Sequence, residues 1–257
     1  MLEQSKLLNS VSGLKHGFSL RSGGVSQGAY DSLNLGFNTE DDAAAVQENL
    51  MRFRSYTGLT NEIFEVQQVH GTAIVNYDNQ ANRSIEADAI ISVSNEVPVG
   101  VRTADCVPLL IVHCDPNSKG RANMVAAVHA GWRGTVHGIA KKALNQLVSM
   151  GAHLPFIKIA IGPCIGFDNF EVGSEVIEAA QESLQSSDLP YCEKPNGKYL
   201  LDLRALIVLQ LLSVGIAESS IDLVGGCTYS EPEKYFSYRR DHGKSGRHLS
   251  FVCLSTS

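Results

Sequence analysis

Two short segments constrain the fold of this chain more than any other feature. Residues 108–113 (PLLIVH) and 124–129 (MVAAVH) are apolar on both faces of an extended chain. A strand with one wet face alternates apolar and polar residues, whereas a strand covered on both sides does not. Both segments are therefore predicted to be central strands of a sheet that is itself covered on two sides. Neither approaches the ~20 apolar residues that a bilayer span needs.

Other elements can be placed around this pair. Strands are predicted at 63–69, 72–77, 157–161, 199–201, 221–224 and 248–254, with two more within 87–101 broken near Asn95. Asp41 and Asp42 can cap a helix that runs to Gly58, with Val46, Leu50, Phe53 and Tyr56 at helical spacing. A helix follows Gly131 to Gly134, with an apolar stripe of Val136, Ile139, Ala143, Leu147 and Met150, and stops at Gly151. Further helices are predicted at 173–184 and 203–214, the latter capped by Asp202 and closed by Gly215. Residues 21–36 are rich in Gly and Ser and read as a loop. Strands and helices mix without a strict βαβ rhythm, and no repeat or linker divides them. The expected fold is α/β: a single-domain α/β sandwich with mixed β-sheets over residues 1–257.

Composition narrows the function. The chain is 44% hydrophobic and 19% charged, which fits a globular protein. A net charge of −6 argues against a nucleic-acid partner, which needs a basic footprint, but allows a local basic pocket for a small anion. The first residues hold no continuous apolar stretch of a secretory signal, so a cytoplasmic protein with no membrane partner is expected. The six cysteines include no CxxC pair, and reduced thiols are expected rather than disulfides. The glycine-rich motifs of dinucleotide and Walker-type nucleotide sites are absent.

Three residues with metal-binding or nucleophilic side chains fall at strand ends or tight turns, where α/β folds place their sites. They are His70 before Gly71, Cys106 before the first apolar strand, and His129 at the end of the second. Two imidazoles and a thiolate suit a transition metal with a fourth position open. The same atoms also suit Cys106 as a nucleophile with His129 as its base. Asp105 could orient one of the histidines or simply cap its turn. By residue type, Cys164 and His113 are the candidates for a fourth ligand, and Cys114, Cys192, Cys227 and Cys253 read as structural. Arg133, at a helix start, is a candidate anion ligand. Arg21, in the glycine-rich loop, and Arg240, in the basic and aromatic stretch 235–248, are others.

The segments RSGGVS, SLNLG, QVHG, TADCVPLL, AVHAGWRGT, IGPCIG, EVG and CTYSEPEKYFSYRRDHGKSGR resemble, in this order, the laccase-domain family. That family is also called YfiH-like or multicopper polyphenol oxidase, and includes proteins named peptidoglycan editing factor. The resemblance runs from about residue 15 to 254 and implies zinc held by His70, Cys106 and His129. It implies an α/β sandwich similar to bacterial toxin deamidases that use a Cys–His pair. It also implies a purine nucleoside enzyme with phosphate as co-substrate. The reactions would be phosphorolysis of adenosine, inosine and S-methyl-5′-thioadenosine, and deamination of adenosine to inosine. Other members are tied to removing misincorporated serine from a UDP-MurNAc peptidoglycan precursor, which here would be a Cys106–His129 amidase. A non-catalytic metal-binding module is a third reading.

Two positions depart from the family pattern: Leu50 after Asn49, and His248 after Gly246 and Arg247, the latter expected to alter the substrate rim. On the nucleoside reading, Cys106, His129, His70 and Asp105 are the catalytic candidates. Arg21, Arg133 and Arg240 are the phosphate candidates. The laccase name fits less well. Four coppers need many histidines with paired His-x-His motifs, and the eight histidines here include no such pair. A single copper in place of zinc, as in a polyphenol oxidase, is the remaining redox alternative.

Overall fold

The structure, a computed structural model, describes residues 1–77, 84–184 and 188–256. In chain order the strands are β1 (Leu2–Glu3), β2 (Leu14–Ser19), β3 (Ile74–Asn76), β4 (Ala89–Ser92), β5 (Val99–Thr103), β6 (Val107–Asp115), β7 (Arg121–Ala130), β8 (Ile157–Ile161), β9 (Glu171–Val172), β10 (Tyr191–Glu193), β11 (Tyr199–Leu201), β12 (Ile221–Leu223) and β13 (His248–Leu254). The helices are α1 (Lys6–Asn9), α2 (Ala43–Thr57), α3 (Trp132–Val136), α4 (Ile139–Ser149), α5 (Ser174–Leu184) and α6 (Leu203–Ser213).

Among the described residues, six strands form the largest sheet in the order β12-β8-β6-β7-β4-β3. The two doubly apolar segments are its centre, β6 and β7, paired antiparallel. The outer pairs β12–β8 and β3–β4 are parallel, which makes the sheet mixed. Alternation along β6 explains its sequence. Val107, Leu109 and Ile111 face α4, α5 and α6, while Leu110 and Val112 face a second sheet. That sheet, β1-β2-β13-β5, packs Phe18, Val99, Val101, Val252 and Leu254 against them. Its other face carries Leu249, Phe251 and Cys253, which meet Phe53 of α2 and Leu33 and Leu35 of the glycine-rich loop. The layers are thus helices, sheet, sheet, helix, and each fully buried aliphatic side chain contributes about 1.5–3 kcal/mol. A small sheet, β10-β11-β9, lies beside α5. The fold is the expected α/β sandwich with mixed sheets, and among the described residues no barrel closes.

The local differences from expectation have physical causes. Asp42 caps α2 by accepting the Ala44 N–H, and Gly58 ends it at φ 64°; Val46, Asn49 and Phe53 are buried and Leu50 packs against the same core, but Tyr56 is exposed. The helix expected after Gly134 is two helices, since Gly138 takes a left-handed φ of 72° between α3 and α4. Residues 63–69 are extended but pair only through isolated bridges at Phe64 and Gln67. There a side chain replaces the ladder: the Gln68 amide bonds the main chain of Arg102. Strand β2 was not expected, because Lys15, His16 and Gly17 break its apolar pattern, yet His16 is buried there. Among the described residues, no helix is long and apolar enough to cross a membrane.

Candidate metal centre

The three sequence candidates converge. His129 is the penultimate residue of β7, pairs with Pro108 and is buried. Cys106 stands in the tight turn between β5 and β6 and is half-buried. His70 ends the extended segment that Gln68 clamps to β5, at a left-handed φ of 60°, and is exposed. One ligand atom from each residue lies within 4.8 Å of the other two. The two imidazoles meet edge to face with centroids 4.8 Å apart. Gly131 closes the site from the start of α3. A Cβ there would stand 2.9 Å from His70 Cδ2 and 3.2 Å from Cys106 Sγ, so only glycine leaves the ligands room.

The residue that orients His129 is Asp88, not Asp105. Asp88 is fully buried just before β4, and its Oδ1 lies 2.7 Å from His129 Nδ1. An ionised carboxylate only accepts, so Nδ1 carries the proton and Nε2 is left as the ligand atom. The same carboxylate accepts the main-chain N–H groups of Val69, His70 and Gly71. Sequence reasoning missed Asp88 because EADAII carries no site motif. The one available signal was a carboxylate at the head of an apolar strand. Asp105 has a different task. Its φ is 89°, and its carboxylate accepts the Thr228 hydroxyl at 2.6 Å and the Arg239 N–H at 2.7 Å. It ties the Cys106 turn to the basic segment.

The electrostatics favour a thiolate–imidazolium pair of Cys106 and His129, whose imidazolium must release its Nε2 proton before that nitrogen can bind a metal. Burial pushes the Cys106 thiol up, but the charge and hydrogen bonds of His129 and then His70 outweigh it and bring the pKa down to about 6. Burial lowers the pKa of His129, but the Cys106 thiolate and Asp88 outweigh it and raise it to about 9. Burial likewise raises Asp88, and the bonds from His129 and Gly71 leave it below the usual carboxylate range.

The cluster opens on a cleft of about 1090 Å³. Its wall includes Phe37, Trp132, Phe170 and Tyr238, with Arg133, Arg239 and Arg247 among them. The Arg133 guanidinium stacks 4.5 Å from the Trp132 ring centroid. Arg21 and Arg240 lie outside the wall. Arg21 donates to the carbonyls of Asp31 and Pro232. Arg240 donates to the carbonyls of Thr228 and Tyr235 and pairs with Asp241. Their charges tie loops together, so the structure does not bring these two phosphate candidates to Arg133. His248 is buried in β13, accepting the Phe236 N–H at 2.8 Å, and so does not form the substrate rim. His113 and Cys164 do not join the cluster: His113 bonds Asn123 at 2.7 Å, and Cys164 lies in the apolar core.

Known proteins share this arrangement of chain. Residues 15–255 match the family model described as multi-copper polyphenol oxidoreductase laccase. The chain belongs to that family. A protein named purine nucleoside phosphorylase YfiH from Shigella flexneri is 38% identical over 239 residues, 92% of this chain and 92% of its own. A purine nucleoside phosphorylase of Mycobacterium bovis is 35% identical over 236 residues, covering 91% and 89%. The crystal structure of YlmD from Geobacillus stearothermophilus superposes with a TM-score of 0.86 at 32% identity, over 95% of this chain and 93% of that one.

The laccase family name speaks of several coppers. Among the described residues, one His and Cys cluster could hold a metal ion. Its donor set of one thiolate and two imidazoles fits a single zinc or copper ion. The ligand spacing, the fixed His129 tautomer and the space left by Gly131 agree with that fit.

Proposed function

We propose that the protein is a purine nucleoside phosphorylase whose centre is His70, Cys106 and His129. The observation that carries this reading is the shape of the site. A metal-type cluster opens into a cleft whose wall alternates aromatic faces with guanidinium groups. Purine rings stack on aromatic faces, and phosphate pairs with arginine. The names of the relatives point the same way.

In this reading adenosine, inosine and S-methyl-5′-thioadenosine are the substrates. A phosphate oxygen forms a bond to ribose C1′ as the bond from C1′ to the purine nitrogen breaks, and the departing base takes a proton. Arg133 holds the phosphate dianion, with Arg239 and Arg247 on the same wall. Trp132, Phe170 and Tyr238 enclose the base and exclude water. His70, Cys106 and His129 would hold a zinc ion, which would supply Lewis acidity where negative charge develops. Deamination of adenosine to inosine, in which water adds at C6 and ammonia leaves, belongs to the same proposal.

A second reading has its own support. Cys106, His129 and Asp88 also have the order of nucleophile, base and orienting carboxylate. That suits an amidase acting on an amino-acid amide, such as serine in a cell-wall precursor. The deciding experiment is product analysis by mass spectrometry. Protein of measured metal content is incubated with each nucleoside, with and without phosphate, beside Cys106→Ala. Phosphate-dependent release of base and ribose 1-phosphate, or 5-methylthioribose 1-phosphate from the thio-nucleoside, lost in the variant and on chelation, is expected. Unchanged nucleosides with one equivalent of zinc bound would refute the phosphorylase reading. Alkylation-sensitive, chelator-resistant amide cleavage would establish the amidase.

A further inference from the structure

We propose that Asp88 is a positioning residue that sets both histidine ligands of the centre at once, one through its ring and the other through its main chain, so that metal affinity depends on a carboxylate outside the ligand set. The proposal rests on reading His70, Cys106 and His129 as a metal centre.

Asp88 is held from every side. Its Oδ1 accepts from His129 Nδ1 at 2.7 Å and from the His70 N–H at 3.0 Å. Its Oδ2 accepts the Gly71 N–H at 2.6 Å and the Val69 N–H at 3.3 Å. The main chain of the same residue adds two bonds. Its carbonyl accepts the His129 N–H at 2.8 Å, and its N–H donates to Ala73 at 3.0 Å. One residue therefore fixes the ring of one ligand and the backbone of the other.

The two ligands need this help for different reasons. His129 is buried, so packing holds its position but does not choose its tautomer. His70 is exposed on a turn, and packing holds it little. Three successive N–H groups converging on one anion form a nest, which stabilises the left-handed backbone at His70. A left-handed φ costs a non-glycine residue roughly 1–2 kcal/mol, so the turn needs a compensating contact.

An amide at this position cannot replace the carboxylate. It offers one acceptor and one donor group, where four donors converge. Either its NH₂ faces the Gly71 N–H and the turn loosens, or it faces His129 Nδ1. In the second case the ring takes the tautomer with a proton on Nε2, which cannot bind a metal. Losing such a partner of a metal ligand typically lowers metal affinity about 10–100-fold.

The test titrates metal-stripped wild-type and Asp88→Asn proteins with zinc against a chromogenic chelator, and with Co²⁺ followed by absorption. Expected are zinc binding weakened about 10–100-fold and Co²⁺ bands altered in position and intensity. A merely structural role would change the unfolding midpoint without moving those bands. Asp88→Glu, which keeps the charge but shifts it by one methylene, decides the matter if the asparagine variant does not fold. It is expected to bind zinc more weakly as well. A folded variant with wild-type zinc affinity and an unchanged Co²⁺ spectrum overturns the proposal and leaves the metal centre standing. Wild-type protein that binds neither metal overturns the metal-centre reading, and the proposal with it.

Discussion

The side chain of Gln68 pairs with both main-chain groups of Arg102, accepting its N–H at 2.7 Å and donating to its carbonyl at 2.8 Å. This amide acts as one rung of a strand. It fastens the segment that carries His70 to the edge of β5, where no regular ladder forms. Gln68→Glu keeps the acceptor and loses the donor. It is expected to cost about 1–3 kcal/mol, the penalty of a half-buried carbonyl left unpaired, and to weaken metal binding by loosening His70. Urea unfolding beside a zinc titration measures both, and an unchanged pair of values would count against the clamp.

Gly131 approaches the ligands more closely than any side chain would allow. Its φ of −69° suits alanine, so Gly131→Ala tests contact alone, without backbone strain. The added methyl meets His70 and Cys106 at 2.9 and 3.2 Å. Overpacking of this kind costs roughly 1–3 kcal/mol, and the bound metal is expected to fall well below one equivalent. Full metal content in the variant, measured by elemental analysis, would contradict the geometry described.

Cys106 is expected to react faster than the buried thiols Cys164 and Cys253 in metal-stripped protein. Its pKa of about 6 keeps it as thiolate at neutral pH, while burial pushes Cys164 up to about 11 and Cys253 up to about 12. Iodoacetamide followed by peptide mapping should find Cys106 modified before either of these, with zinc protecting it. Equal labelling with and without zinc would argue that the metal does not occupy this thiolate.

Acid should destabilise the fold through two buried histidines outside the metal cluster. His16 accepts the Ser5 N–H at 3.1 Å and His248 accepts the Phe236 N–H at 2.8 Å, both as neutral rings. Burial lowers their pKa to about 4 and about 3, from an ordinary value of 6.5. Below pH 6.5 the unfolded chain therefore takes up protons that the folded chain refuses. Stability is full above that pH and falls as pH drops toward 4, by up to about 1.4 kcal/mol per unit for each ring. Unfolding curves between pH 7.5 and 4.5 should show this slope, and His248→Gln should flatten it.

Arginines of the same region should separate by role. Arg133→Ala removes a guanidinium on the cleft wall and is expected to raise the phosphate KM about tenfold, the loss of one charge-assisted bond. Arg240→Ala removes donors from the carbonyls of Thr228 and Tyr235. It should instead lower stability by about 1–3 kcal/mol. Steady-state kinetics and thermal unfolding on both variants distinguish the two, and a KM effect confined to Arg240→Ala would reverse the assignment.

Much of this site was legible because its residues stand at punctuation points. His70 precedes a glycine, Cys106 precedes a proline-containing apolar strand, and His129 ends one. The two central strands were legible because burial on both faces leaves few polar residues to mislead, whereas the polar residues of β2 hid it. Asp88 was not legible. It lies 18 residues after His70 and 41 before His129; the pairing of β4 with β7 brings it to His129, and the pairing of β4 with β3 brings it to the His70 turn. Arg21 and Arg240 misled for the converse reason. A basic residue in a loop has the same letter whether it faces a substrate or a ring of carbonyls.

By itself, then, the sequence determined the central strands, the capped helices and the three ligand-type side chains. Each of those depends on a short stretch of chain and on simple burial or hydrogen-bond rules. Only the tertiary structure decided which carboxylate orients the histidine, which arginines face the cleft and why residue 131 must be glycine. Those are distances between segments far apart in the chain, and the hydrogen bonds that decide them exist only once the two sheets have packed.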